Sequence, residues 1–253
     1  EKIKKENNTI TDDDIKAFLN YAAQCLSNAG NYVSFGHKKF IPLLAQEKFE
    51  QIVKTSKSYG EFEAIWNKIK DIIYDNSDKC NTINLEEKGG KNSYYLGGIK
   101  EEEIKLVDKY LMEKNIDPLN TRLLKVKEDK YVVLIGSVDT KTEQWTDKIT
   151  AYYGDFSAFL SRINKHLEEA KKYCYNETEK KMLDFYIESF HTGSIEKHKE
   201  SQRQWVRDKK PLIETNIGWI ETYVDPMGVR GYYEGFVALT DQEKSKKFNT
   251  LVS

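Results

Sequence analysis

Long apolar runs are missing from this chain: the longest are of the Tyr131–Val138 kind, far short of the roughly 20 residues that a membrane-spanning helix needs. The beginning is charged rather than signal-like, so the chain reads as soluble and unsecreted. Charge of one sign is missing too. Lys and Arg at 40 nearly cancel Asp and Glu at 41, so neither nucleic acid nor an anionic membrane is an expected partner. Cysteine is scarce: Cys25, Cys80 and Cys174 are odd in number, widely spaced and without any C-x-x-C. That pattern fits free thiols in a reducing compartment and makes a cytoplasmic location the default. No H-E-x-x-H pattern joins the four histidines, His37, His166, His191 and His198. The helix-breaking Gly193 separates the last two, so no zinc site is expected within these residues.

What is present suffices for a hydrophobic core. The 253 residues allow one large domain or two modest ones. Thr11-Asp12-Asp13-Asp14 offers a helix start, and Ile15, Phe18, Leu19, Ala22 and Leu26 follow at helical spacing. Further helices are expected over 46–55, 61–74 and 101–114, with 76–98 mostly loop and a weak candidate boundary. Thr121–Val126 and Lys130–Val138 read as a hairpin. Helices are expected from Asp155, over 177–190 with Thr192-Gly193 closing it, and over 194–207. Asn216–Val224 and Tyr232–Leu239 read as strands around an Asp225-Pro226-Met227-Gly228 turn. No internal repeat is visible. The expected class is α+β, mostly helical with a small antiparallel or mixed sheet or barrel, with a helical part over 1–115 and a strand-containing part over 116–253. A final helical pattern of Phe248, Leu251 and Val252 together with Glu1 at the other end reads as a piece of a longer protein.

A two-residue period over Ile217–Val224 puts Trp219, Glu221 and Tyr223 on one strand face, with Glu234 on the return run. A carboxylate, a phenol and an indole there suit an acidic pocket with an aromatic wall. The plainer alternative makes Glu221 a solvated residue and the two aromatics core.

Longer runs narrow the choice. Tyr186-Ile187-Glu188-Ser189-Phe190, Gly193-Ser194-Ile195-Glu196, Ile217-Gly218-Trp219-Ile220-Glu221-Thr222-Tyr223-Val224-Asp225-Pro226 and Gly231-Tyr232-Tyr233-Glu234-Gly235-Phe236-Val237-Ala238 resemble the dipeptidyl peptidase III family. Asn31-Tyr32-Val33-Ser34-Phe35-Gly36 and Asn120-Thr121-Arg122-Leu123 add landmarks of its eukaryotic branch in the same order, while Val224 stands where an Arg is usual. The resemblance implies part of the lower, substrate-binding lobe of a two-lobed zinc enzyme that releases dipeptides from the amino end of short peptides. The peptide-binding segment would be 217–239. Zinc in the complete enzyme would belong to the other lobe, whose H-E-x-x-G-H motif is not among these residues, so this chain by itself would be inactive. Its partners would be short peptides and the rest of its own polypeptide.

Carried over by position, Glu221 and Glu234 resemble the acids that receive the substrate ammonium. Tyr223 resembles the phenol that polarises the scissile carbonyl and steadies the oxyanion, and Phe35 an aromatic wall of a substrate subsite. Unit charges about 4 Å apart at an effective dielectric near 20 attract by about 4 kcal/mol before desolvation, enough to favour a free amine. The alternatives are a non-catalytic peptide-binding or interaction module with the same acidic pocket, and a glycosidase using Glu221, Asp225 and Glu234 as its carboxylates.

Overall fold

The structure is a computed structural model that describes residues 9–34 and 38–252. It divides into two compact units, Glu1–Asn92 and Ser93–Ser253. The division lies inside the poorly patterned 76–98 stretch, ahead of the helix Glu101–Glu113. That helix belongs to the second unit because Ile104, Val107 and Leu111 bury one face and Glu103 accepts from the Tyr131 hydroxyl at 2.9 Å and pairs with Lys125 at 2.7 Å.

In the first unit, α1 (Asp12–Ser27), α2 (Gln46–Lys54), α3 (Tyr59–Tyr74) and the one-turn α4 (Asp78–Asn81) follow in order. The start of α1 is the expected capping box: the Asp14 N–H donates to Thr11 Oγ1, and the Thr11 N–H donates to Asp14 Oδ2 at 2.8 Å. Lys48 lies 2.7 Å from that carboxylate. Its hydrogen bond, with those from Thr11, lowers the Asp14 pKa to about 2. The core is aromatic, with Phe49 stacked on Trp66 at 5.5 Å and tilted against Phe18 at 5.0 Å. On α3, Trp66 is buried while Ile65 and Ile69 are exposed.

The second unit opens with β1 (Tyr95–Leu96) and α5 (Glu101–Glu113), followed by β2 (Thr121–Lys127), β3 (Lys130–Gly136), β4 (Lys141–Gln144) and β5 (Ile149–Asp155). These strands form a mixed sheet in the order β1-β2-β3-β5-β4, with β2 antiparallel to β3 and β3 parallel to β5. The sequence pattern announced β2 and β3 but not β4 and β5. The reason is that β4 is a polar edge strand, Lys-Thr-Glu-Gln, with little burial on either face.

Helices α6 (Ser157–Ala170), α7 (Glu177–Thr192) and α8 (Ile195–Arg207) come next, then the two-stranded β6 (Ile213–Glu221) and β7 (Tyr232–Leu239), and α9 (Gln242–Val252). The α+β class with a small mixed sheet is the one expected. Helix α6 begins at Ser157 rather than Asp155. Asp155 ends β5 and is held by the Arg122 guanidinium at 2.7 and 2.8 Å, and Phe156 takes a left-handed φ of 59° between them. Helix α7 closes as expected on Gly193, whose φ of 78° lets its N–H donate to the Ser189 carbonyl at 2.8 Å. Among the described residues no helix is long and apolar enough to cross a membrane.

Candidate functional site

The candidate residues lie on the β6–β7 hairpin. Its ladder sets Gly218 opposite Glu234 and Trp219 opposite Tyr233, then shifts so that Glu221 faces Tyr232. Ile220 is the extra residue of a β-bulge. An unbroken strand would place Trp219 and Glu221 on the same face, as their spacing suggests. The bulge reverses the parity after Trp219 and turns Glu221 to the side of Glu234.

Trp219 and Tyr233 face the other way, into the core. Their rings meet edge to face at 4.9 Å, and Phe190 of α7 packs on both at 6.1 and 6.0 Å. The backbone of β3 approaches this indole so closely that a Cβ on Gly136 would lie 2.6 Å from Trp219 Cη2. Gly136→Ala is therefore expected to destabilise by about 1–3 kcal/mol through overpacking, seen as a lower Tm. A cavity of about 480 Å³ opens on the Trp219–Tyr233 side, lined also by Arg122, Phe156, Phe159 and Ile163. Among the described residues no carboxylate lines it.

Strand β6 ends at Glu221, short of Val224, because the chain folds into a turn whose Asp225 N–H donates to the Thr222 carbonyl at 3.2 Å. Tyr223 consequently sits on that turn rather than on the strand, 45% exposed. The negative charge of the neighbouring Glu221 carboxylate holds the Tyr223 pKa above its ordinary value, with desolvation, a hydrogen bond to Glu221 and the Glu234 charge adding to it. The phenol thus keeps its proton at neutral pH.

Glu234 is half-buried, and desolvation raises its pKa. The Glu221 N–H, which donates to the carboxylate, opposes that shift, and the Glu221 charge reinforces it. Its Oε1 is buried and has no hydrogen-bond partner among the described residues. Glu221, Tyr223 and Glu234 are thus brought together as one negatively charged niche with an unsatisfied acceptor. Phe35 lies outside the described residues.

Sequence reasoning missed what holds this niche. The Asp225 carboxylate is buried and saturated: Oδ1 accepts from the Met227 N–H at 2.9 Å, and Oδ2 from Val229 and Arg230 N–H at 2.9 and 2.7 Å. Oδ2 also accepts from the Tyr95 hydroxyl at 2.9 Å. Arg230 is fully buried. Its Nη2 donates to Asp108 at 2.6 Å, Nη1 to the Tyr95 oxygen at 3.1 Å and Nε to Thr121 Oγ1 at 3.1 Å. The Asp-Pro-Met-Gly turn was legible, but no local signal ties Arg230 to residues more than 100 positions earlier. With three backbone N–H groups and the Tyr95 hydroxyl on its carboxylate, Asp225 is not an available acid or nucleophile, which removes one of the three carboxylates of the glycosidase reading.

His37 lies outside the described residues, and two of the other histidines take structural places. His198 is buried against the Gly218 backbone, and burial lowers its pKa, while His191 pairs with Asp139 at 3.2 Å on the surface. Among the described residues no group of three or more His, Cys, Asp or Glu is placed to hold a metal.

The family model of peptidase family M49 matches residues 65–253, and the chain belongs to that family. Dipeptidyl peptidase 3 of Dictyostelium discoideum is 39% identical over 249 residues, covering 96% of this chain and 36% of that protein. Dipeptidyl peptidase 3 of Homo sapiens is 35% identical over 266 residues, again 96% and 36%. The chain therefore spans about a third of the length of these relatives. Among solved structures, DPP III from Caldithrix abyssi superposes over 97% of this chain and 43% of that one, with a TM-score of 0.51 at 17% identity, a likeness of fold.

Proposed function

We propose that this chain is the amino-terminal, substrate-gripping part of a zinc-dependent dipeptidyl peptidase that releases dipeptides from the amino end of short peptides. The observation that carries the reading is the buried, unpartnered Oε1 of Glu234 beside the Glu221 carboxylate. An α-ammonium supplies the donors and the positive charge that this pair lacks. Docking the amine there fixes the distance to the second amide, so the niche measures a dipeptide.

Tyr223 has a second task. In the free protein its hydroxyl is spent on Glu221. An ammonium that takes over Glu221 releases the phenol to donate toward the scissile carbonyl, where charge develops as the amide is attacked. The described residues do not fit zinc, since they offer no donor cluster. The metal implied by the family resemblance is therefore assigned to polypeptide outside them, and no step is routed through it.

Isothermal titration of this chain with a free tetrapeptide and its N-acetyl form tests the reading. At least a tenfold preference for the free amine is expected, falling to near unity in Glu234→Gln; equal affinities in the parent chain sink it. The pH dependence should be bell-shaped. Binding needs Glu234 ionised, so it weakens as pH falls through a carboxylate pKa that desolvation raises above its ordinary value; it needs the amine protonated, so it weakens again above about pH 8. Chelator-sensitive release from a dipeptidyl arylamide by the intact protein separates an enzyme from a module that only binds.

A further inference from the structure

We propose that Tyr95, Asp225 and Arg230 form a positioning device for the niche. This rests on the reading of Glu221, Tyr223 and Glu234 given above. The connection from Thr222 to Gly231 carries Tyr223 near its start and delivers the chain to Glu234 at its end. A free-running surface connection of this length would leave both ends loosely placed.

Here it is tied down beside each functional group. Two residues after Tyr223, the Asp225 carboxylate gathers the Met227, Val229 and Arg230 N–H groups into one turn. At the far end the Gly231 N–H donates to the Leu119 carbonyl at 2.8 Å, and the Tyr94 hydroxyl donates to the Gly231 carbonyl at 3.3 Å. The Tyr95 hydroxyl joins the two anchors, since it donates to Asp225 while accepting from Arg230. Arg230 in turn grips Asp108 on α5 and Thr121 on β2. The turn is thus referenced to a helix and to the five-stranded sheet.

A buried ion pair is a weak way to gain stability, because desolvation offsets most of its attraction. A fully satisfied network does restrict geometry, and misplacing a reacting group by about 1 Å can cost on the order of 10²-fold in rate. Fixing the angle between the phenol and the two carboxylates is the task that a saturated, many-centred network performs better than apolar packing.

Tyr95→Phe is the test, because it removes one hydroxyl and keeps the ring that lies 5.2 Å from the Arg230 guanidinium. The readout is the ratio of affinities for a free-amine peptide and its N-acetyl form, which does not depend on the fraction folded. The ratio is expected to fall at least fivefold in Tyr95→Phe and in Thr121→Val, and in the intact peptidase kcat should fall about tenfold with KM changed less. A lower Tm with the ratio and the kcat to KM split unaltered would overturn the proposal, leaving a structural network only. A parent chain with no free-amine preference would overturn the niche itself, and the positioning role with it.

Discussion

Tyr223→Phe is expected to cut kcat of the intact peptidase by about 10²–10³-fold, the usual cost of losing one oxyanion donor, while the affinity for free-amine peptides changes little or rises. The asymmetry follows from the two bonds the phenol makes in turn. In the free protein it occupies Glu221, so deleting the hydroxyl removes a competitor of the incoming ammonium and does not weaken ground-state binding. In the role proposed for it the phenol donates to the developing oxyanion in the transition state, and phenylalanine offers no donor. Steady-state kinetics with calorimetry on the same preparation checks both halves. A tenfold loss of affinity with kcat intact would reassign Tyr223 to substrate binding and leave the carbonyl without a donor from this chain.

Arg230→Met is the second large effect. Removing the guanidinium leaves Asp108 without its ion pair and the Tyr95 oxygen and Thr121 Oγ1 without donors. Breaking one partner out of such a buried pair costs about 3–5 kcal/mol, which for a chain of this size lowers Tm by on the order of 10 °C. The double variant Arg230→Met with Asp108→Leu should recover much of that stability, because two apolar groups no longer strand a charge. It should not recover discrimination between free and acetylated peptides, since the Tyr95 hydroxyl still has no guanidinium to fix it. Thermal denaturation and calorimetry of the three proteins separate the contributions.

Much of this was legible in the sequence wherever local chemistry decides the outcome. The Thr11 and Asp14 box, the Gly193 stop and the β-branched run of β2 and β3 all formed close to where their residue types place them, because each needs only near neighbours. Strand β4 escaped notice because an edge strand of Lys, Thr, Glu and Gln carries no apolar alternation. The start of α6 was misplaced because Asp155 answers to Arg122 of a distant strand and not to the helix N-terminus.

At the site, alternation alone grouped Trp219 with Glu221, and the bulge at Ile220 divides them. The grouping of Glu221, Tyr223 and Glu234 came from that alternation together with likeness to a family, and the geometry brings these three together. Arg230 had no comparable signal. An arginine after a turn is ordinarily solvated, and only the folded chain brings Asp108, Tyr95 and Thr121 around it.

The lone inserted residue at position 220 also makes the hairpin modular. On one face of the hairpin Trp219 and Tyr233 answer to volume and ring geometry; on the other, Glu221 and Glu234 answer to charge and solvent. Substitutions that retune ligand preference at 221 and 223 should therefore be nearly additive with substitutions that repack the indole and its neighbours. Selection can adjust what the protein grips without reopening the question of how it folds.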